Sequence, residues 1–377
     1  MDVEKKIRLS ASFVSLEEEN AVSRIMKKGF FGMGSEVYEF EKELSIFFGK
    51  NATCVVNGTA ALHLALQAIG VAKGDEVLVP SLTYVATFQA ITATGATPVA
   101  CDVNPDTLQV SLEDLRKKIS IRSKAIIPVH YGGGAEGIDE ILKVAKDRNI
   151  RVIEDAAHAF GSRQDNRLIG TFGDITCFSF DGIKNITSGE GGCIVTADEE
   201  VIKNIKDIRL LGVIKDSDKR YQNKRSWEFE VTQQGWRYHM SDIMASIGRE
   251  QLKKIEVIKE RRQELAKRYD ENLHDEKKIS LFKRNYDQII PHIYPIRLNK
   301  NIDRTYLRQS MEGYQIETGY HYQPNHTLEF FKKKDEVLVE TNKLSKELLS
   351  LPLHPNLTLE NVDFICEKLK ISLNNYK

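Results

Sequence analysis

Between residues 50 and 200 the chain alternates short apolar runs with amphipathic stretches. The runs are TCVV (53–56), EVLVP (76–80), TPVAC (97–101), KAIIPV (124–129), RVIED (151–155), ITCFSF (175–180) and CIVT (193–196). Several are continuous and β-branched rather than alternating apolar with polar. A strand that reads this way is covered on both faces, as in a mostly parallel sheet. Helix-period segments lie between the runs at 60–70, 87–95, 111–119 and 138–148. Each closes near Gly, Asn or a basic residue, as helix C-termini do. The alternation places the chain in the α/β class, with right-handed crossovers and helices flanking the sheet.

Past residue 240 the texture changes. Residues 241–273 carry Ile243, Ile247, Leu252, Ile255, Ile258, Leu265 and Tyr269 at roughly helical spacing, with Ser241 as an N-cap. They predict one long helix. The remainder predicts a small α+β unit: a strand at 292–298 and helices near 303–313, 337–349 and 358–369. A length of 377 residues accommodates a large domain over 1–250 and a small C-terminal domain over 251–377, with the N-terminal segment free to pack on the small one. The polar stretch 215–230 reads either as a solvated loop or as a substrate or partner loop.

Composition removes several classes of function. A hydrophobic share of 41% excludes disorder as the main state. Lys+Arg and Asp+Glu are both 54, and this balance disfavours a protein that coats nucleic acid. No run approaches the roughly 18 apolar residues of a membrane span. The opening MDVEKKIRLSASF has no apolar core of a signal peptide, so a cytoplasmic location is expected. The cysteines, Cys54, Cys101, Cys177, Cys193 and Cys366, are scattered without a CxxC pair. They read as buried reduced thiols, with no metal site.

In open parallel sheets ligands bind at the carboxyl ends of the strands. After TCVV comes Asn57-Gly58-Thr59 running into a helix, either an ordinary cap or a phosphate cradle. After RVI come Glu154 and Asp155; an acid there is a cap or the partner of a buried cation. After ITCF come Ser179, then Lys184 within DGIKN. A lysine behind a core strand is an exposed loop residue, or one that is neutral, paired or covalently used. In this order and in one α/β domain, the set meets the needs of pyridoxal 5′-phosphate. The lysine condenses with the aldehyde, the Asp pairs with the pyridinium nitrogen, and hydroxyls and helix amides hold the phosphate.

At these residues the resemblance becomes specific. VNGTAALHLAL, GDEVLVPSLTYVAT, VIEDAAHAFGS, FSFDGIKNITSGEGG, GWRYHMSDIMASIGREQL, HYQPNH and LPLHPNLT resemble the DegT/DnrJ/EryC1/StrS family of sugar-nucleotide aminotransferases. The similarity runs from about residue 12 to 370. It implies the fold-type I PLP-dependent aminotransferase architecture and a homodimer whose active sites lie at the subunit interface. By motif, Lys184 is the cofactor lysine and proton-transfer base, and Asp155 binds the pyridine nitrogen. Gly58, Thr59 and Ser179 hold the phosphate, Tyr84 lies against the ring, and His158 stands near the ring hydroxyl. Tyr84, Glu190, His321, Tyr322 and His326 are assigned to the substrate; for the HYQPNH residues a structural turn around Pro324 is the alternative. The family's GYNYRM-like motif, which reaches the partner's phosphate, reads GWRYHM here, so Arg237 takes the Asn place and His239 the Arg place. A family branch that dehydrates carries His where Lys184 stands, so Lys184 favours amine transfer.

Gly132–Gly137 (GGGAEG) satisfies G-x-G-x-x-G between a strand and a helix, the pattern of an NAD-dependent oxidoreductase. That reading leaves Lys184, Ser179 and the Asn57-Gly58-Thr59 turn unexplained. A PLP-binding regulatory protein without turnover is a second rival. The favoured reading is transfer of an amino group from L-glutamate, which leaves as 2-oxoglutarate, to a nucleotide-linked 3-keto or 4-keto 6-deoxy sugar. The product is an amino sugar for surface polysaccharide, glycan or antibiotic assembly. Lys219, Arg220, Lys224, Arg225, Arg237 and His239 form a basic cluster that reads either as a solvated loop or as a phosphate contact at a dimer interface.

Overall fold

The computed structural model describes residues 6–334 and 336–376. Two helices, α1 (Leu16–Lys28) and α2 (Ser35–Phe48), precede the first strand; their periodicity was not among the expected elements. Strands β1 (Asn51–Val55), β2 (Glu76–Pro80), β3 (Thr97–Cys101), β4 (Ser123–Ile126) and β5 (Arg151–Asp155) follow at the expected runs. Between them lie α3 (Gly58–Ala68), α4 (Val85–Ala93), α5 (Leu112–Lys118) and α6 (Ile138–Asp147). A small hairpin, β6 (Arg163–Gln164) and β7 (Arg167–Leu168), leads to β8 (Ile175–Ser179) and β9 (Gly192–Thr196).

The main sheet has seven strands in the order β1-β9-β8-β5-β4-β2-β3. The pairs from β8 to β3 are parallel, and β9 runs antiparallel to both its neighbours. Every strand except β9 therefore points the same way, and their carboxyl ends meet on one edge. Alternating side chains fill both faces, as the unbroken apolar runs require. Val55, Ile153, Ile175 and Ile194 join α3 and α4 in one core. Cys54, Phe178, Cys193 and Val195 join α2 in the opposite one. All five cysteines are buried and free.

After β9 come α7 (Glu199–Ile208) and α8 (Asp216–Tyr221). The latter lies inside the stretch read as a loop. Its Tyr221 is recruited to a buried node around Arg209, which is fully enclosed. Arg209 donates to the Cys54 carbonyl at 2.6 Å, to the Tyr221 hydroxyl at 2.7 Å and to Glu41.

The segment 241–273 is two helices, not one: α9 (Asp242–Lys253) and α10 (Ile255–Leu273). Ser241 caps the first as expected, accepting from the Met244 amide. The break falls at Lys254, whose ammonium bonds both Glu18 oxygens at 2.8 Å and so ties α9 to α1. Helix α10 links two cores: Ile255 and Ile258 pack beneath the sheet, while Leu265, Tyr269 and Leu273 pack in the C-terminal one. That second core lies on a three-stranded antiparallel sheet of β10 (Ile279–Leu281), β11 (Tyr294–Leu298) and β12 (Leu348–Leu351). Around it stand α11 (Arg304–Gly313), α12 (Val339–Glu347) and α13 (Leu359–Asn375). The expected helix to residue 349 thus ends at Glu347, because Leu348 and Leu349 pair with Arg297 and Ile296 of β11. Near the N-terminus, Ile7 bridges Ile316, and the Leu9 carbonyl accepts from Leu353.

Gly132 and Gly133 of GGGAEG lie in a buried 3-10 turn, and Gly137 caps α6. A Cβ on Gly133 would lie 2.7 Å from the Ile290 carbonyl, so this turn is packed against protein, not open to a dinucleotide. No helix among the described residues is long and apolar enough to cross a membrane.

Candidate active site

The carboxyl ends of β1, β2, β4, β5 and β8 enclose a cleft of about 520 Å³. Gly58, Thr59, Tyr84, Asp155, His158, Ser179, Lys184, Glu190, His321 and Tyr322 all line it. Chain direction explains this convergence: residues scattered over 265 positions of sequence lie at or shortly after the carboxyl end of a parallel strand, just before the antiparallel β9, or on the 321–322 segment.

Helix α3 opens the cleft wall. Asn57 caps it, its side-chain oxygen accepting from the Ala60 amide at 2.8 Å. The amides of Gly58 and Thr59 begin the helix and have no carbonyl one turn earlier to bond. A Cβ at Gly58 would lie 2.9 Å from Ser179 Cβ, so only glycine lets these amides, the Thr59 hydroxyl and the Ser179 hydroxyl share one spot. Free amides, hydroxyls and a positive helix end make a cradle for a phosphate.

At the end of β5, adjacent acids part ways because successive strand residues face opposite sides. Glu154 turns into the core, bonded to His130 at 2.7 Å and to the Gly173 amide and Thr176 hydroxyl at 2.9 Å. Asp155 turns to the cleft. The Thr87 hydroxyl donates to it at 2.8 Å and the Ala157 amide at 3.2 Å. Burial pushes the Asp155 carboxyl up, while Thr87, Ala157 and Lys184 pull it back toward the charged form.

Lys184 follows β8 through a turn closed by its amide on the Asp181 carbonyl. Among the described residues its ammonium has no hydrogen-bond or ion-pair partner. Burial brings its pKa down to about 8, against the pull of Asp155 and Asp181. An amine so poised is a nucleophile and a proton carrier near neutral pH.

The opposite wall is built of neutral rings. His158 accepts from the Gly132 amide at 3.3 Å and pairs with the Tyr322 hydroxyl at 2.8 Å. With Nδ1 accepting, Nε2 carries the proton toward Tyr322. Burial holds His158 and His292 well below the usual imidazole range and brings His321 to about 4. Tyr84 is 61% exposed and stands 5.8 Å from the Tyr322 ring. Glu190 lies at the rim, its carboxyl raised by burial and by the charge of Asp181.

Two assigned residues lie elsewhere. His326 is buried away from the cleft, with its nitrogens on Ser81 and Asn342 at 2.7 and 3.1 Å. It and Asn325, which donates to the Ser81 and Thr83 carbonyls, clamp the 321–326 segment to the loop after β2. The turn around Pro324 is thus what His326 serves. Arg237 lines a separate small cavity with Arg220, Asp216 and His239. Its neighbours Trp236 and Tyr238 face inward on His63, so alternation turns Arg237 and His239 the other way. Thr87, Asp181 and His292 also line the cleft and were not among the sequence candidates. Thr87 lies on a helix face and His292 before a strand, positions without a strand-end signal; Asp181 sat inside a quoted motif.

The cleft fits pyridoxal 5′-phosphate: the glycine-opened cradle takes a phosphate, the unpartnered Lys184 an aldehyde, and Asp155 a ring nitrogen. Comparison with known proteins agrees. The DegT/DnrJ/EryC1/StrS aminotransferase family matches residues 14–370. The spore coat polysaccharide biosynthesis protein SpsC of Bacillus subtilis is 35% identical over 371 residues, 96% of this chain and 95% of that protein. PseC of Helicobacter pylori, an aminotransferase involved in the biosynthesis of pseudoaminic acid, superposes with a TM-score of 0.92 at 27% identity, covering 99% of this chain and 100% of that one. Spr1654 of Streptococcus pneumoniae in its PLP form superposes at 0.90 with 28% identity over 99% and 100% of the chains, and is also known in a PMP form. The chain belongs to the DegT/DnrJ/EryC1/StrS family and is a sugar aminotransferase that depends on pyridoxal 5′-phosphate.

Proposed function

We propose that the protein moves the amino group of L-glutamate to a nucleotide-linked 3-keto or 4-keto 6-deoxy sugar. The carrying observation is the half-buried Lys184, without a side-chain partner among the described residues, beside Asp155 in a cleft lined also by imidazoles, phenols and hydroxyls. When bound, the cofactor supplies an electrophilic carbon and an electron-accepting ring. Asp155, held by Thr87 and Ala157, keeps positive charge on the ring nitrogen. Lys184 Nζ, a free amine at mildly alkaline pH, takes a proton from the amino-bearing carbon and returns it. The Gly58 and Thr59 amides with Thr59 and Ser179 fix the phosphate, and Tyr84 bounds the ring. His158, His321 and Tyr322 offer uncharged hydrogen-bonding groups that suit a sugar's hydroxyls, and Glu190 accepts from them at the rim.

Among the described residues lining the cleft, Lys184 is the only lysine or arginine. A dicarboxylic donor and a nucleoside diphosphate both need cations. The cluster of Lys219, Arg220, Lys224, Arg225 and Arg237 supplies them if a second copy presents it to this cleft. Exposed Leu211, Ile214, Trp227, Phe229 and Val231 in the same segment form an apolar surface of the kind a partner covers. The protein is therefore read as a homodimer with shared sites.

The test follows the cofactor's absorbance. L-glutamate alone should convert it and release one 2-oxoglutarate per site. A panel of dTDP-, UDP- and GDP-linked keto sugars should then restore it for one member. Lys184→Ala should abolish turnover. An enzyme that glutamate leaves unchanged, or a Lys184→Ala variant that turns over normally, refutes the reading; a monomer by light scattering refutes the shared site.

A further inference from the structure

Among the described residues, three carboxylates line the cleft: Asp155, Asp181 and Glu190. Asp155 is buried, Glu190 is exposed at the rim, and Asp181 is half-buried. Asp181 takes no part in the chemistry described above. Its turn, after β8, is pinned at four points. The Asp181 amide donates to the Ser179 hydroxyl at 3.3 Å, and the Lys184 amide to the Asp181 carbonyl at 3.0 Å. The Ile183 amide donates to Asp181 Oδ1 at 3.2 Å, and the Ser12 hydroxyl to the Gly182 carbonyl at 2.6 Å.

One carboxylate oxygen therefore holds the turn. The other, Oδ2, has no hydrogen-bond or ion-pair partner among the described residues, and it is not enclosed. The charge of Asp181 is felt by Lys184, Tyr322 and Glu190, which border the cleft from three segments. Coulombic attraction and repulsion fall off with distance, so the carboxylate sits among these groups, inside the cleft.

A carboxylate accepts hydrogen bonds and donates none. Its ligand must be a donor. Phosphates and carboxylates are repelled, and a keto oxygen brings no hydrogen. L-glutamate carries two carboxylates and one ammonium, and the ammonium is consumed at the reacting carbon. The acceptor sugar carries hydroxyls. A bond from a hydroxyl to a charged acceptor is about twice as strong as a neutral one, and a pinned carboxylate loses little freedom in making it.

We propose that Asp181 is a substrate-binding residue whose free oxygen accepts a hydrogen bond from one hydroxyl of the acceptor sugar. The proposal rests on the keto-sugar reading above and makes Asp181 a determinant of which sugar is accepted.

The experiment pairs a change in the enzyme with a change in the sugar. Asp181→Asn keeps the shape and an oxygen for the Ile183 amide, but puts an uncharged donor where Oδ2 stood. Asp181→Ser, whose hydroxyl also accepts within a turn, serves if the Asn variant does not fold. Each is assayed against the keto sugar that restores the cofactor and against its singly deoxygenated analogues. Loading by L-glutamate is followed separately by cofactor absorbance. Loss of a hydrogen bond to a charged group corresponds to a roughly 10- to 100-fold change. In wild type, removal of one particular hydroxyl should slow discharge by that factor. In the variant, discharge to the parent sugar should be slowed similarly, and the same deoxygenation should then cost less than about 3-fold, because the bond is already gone. Loading should stay within about 3-fold of wild type. Deoxygenations that cost wild type and variant the same overturn the proposal, as does an equal fall in both half-reactions. A variant that light scattering shows to have lost its partner subunit also overturns it, since the carboxylate then serves an ion pair between copies. A wild-type enzyme that loads but discharges to no keto sugar refutes the functional reading itself, and this assignment falls with it.

Discussion

Gly58→Ala separates the phosphate cradle from general stability. The added Cβ would lie 2.9 Å from Ser179 Cβ, 3.3 Å from its Oγ and 3.4 Å from its Cα. Carbon contacts settle at about 3.5–4.0 Å, so the overlap is about 0.6–1.1 Å. Ser179 cannot retreat, because it is the last residue of β8 and pairs with Gly192 of β9. The start of α3 must therefore move. Overpacking costs about 1–3 kcal/mol, and alanine's better helix propensity offsets up to about 1 kcal/mol. The net loss of stability is at most about 3 kcal/mol, a fall of several degrees in melting temperature. The cradle suffers more. A shift of that size stretches hydrogen bonds of about 2.9 Å beyond 3.5 Å, where they cease to count. Losing two bonds to a charged phosphate, at about 1.5–3 kcal/mol each, weakens binding by roughly two to four orders of magnitude. Apoprotein titrated with pyridoxal 5′-phosphate and followed by visible absorbance gives the affinity. Gly313→Ala is the control, since a Cβ there meets nothing within 4 Å. A Gly58→Ala protein that binds the cofactor within about 3-fold of wild type would refute the cradle.

Three further outcomes follow from the same geometry. Thr87→Val keeps the shape but removes the 2.8 Å bond to Asp155; a bond to a charged group is worth about 1.5–3 kcal/mol, or 1–2 pH units. The Asp155 carboxyl should rise further, so the acid limb of the activity profile should move to higher pH; an unmoved limb refutes the role of Thr87. Because burial lowers Lys184 to about 8, its amine is free above that pH and protonated below it. The rate at which apoprotein captures the cofactor should climb through pH 8 and level off, and a midpoint near the ordinary lysine value would contradict this. Arg209→Ala strands the buried Glu41 carboxylate and should cost about 3–5 kcal/mol in urea unfolding; a loss under about 1 kcal/mol would show that the node is not the anchor of α8 described here.

The sheet was legible because a strand covered on both faces has a distinctive composition: EVLVP, TPVAC and RVIED match β2, β3 and β5 residue for residue. The helices α1 and α2 were not. Their faces are partly polar, and Glu18 and Glu41 enter the interior only because Lys254 and Arg209 meet them there. The break at Lys254 has the same cause, a contact between segments more than two hundred residues apart. Leu348 and Leu349 continue a helical pattern as well as they begin β12, and only β11 beside them decides.

The site divides along the same line. Gly58, Asp155, Ser179 and Lys184 follow apolar runs, and a parallel sheet brings the ends of such runs to one edge whatever else the chain does. The sequence by itself therefore determined the α/β class, the edge of the sheet where the cleft opens and most of the residues that line it. Only the tertiary structure decided which of two adjacent acids faces the cleft, which hydroxyl holds it, and that His326 braces a turn while Thr87 and His292 line the cleft. Sequence periodicity records whether a side chain is covered. It does not record what covers it, and a hydrogen bond or an unpaired nitrogen is a property of the covering.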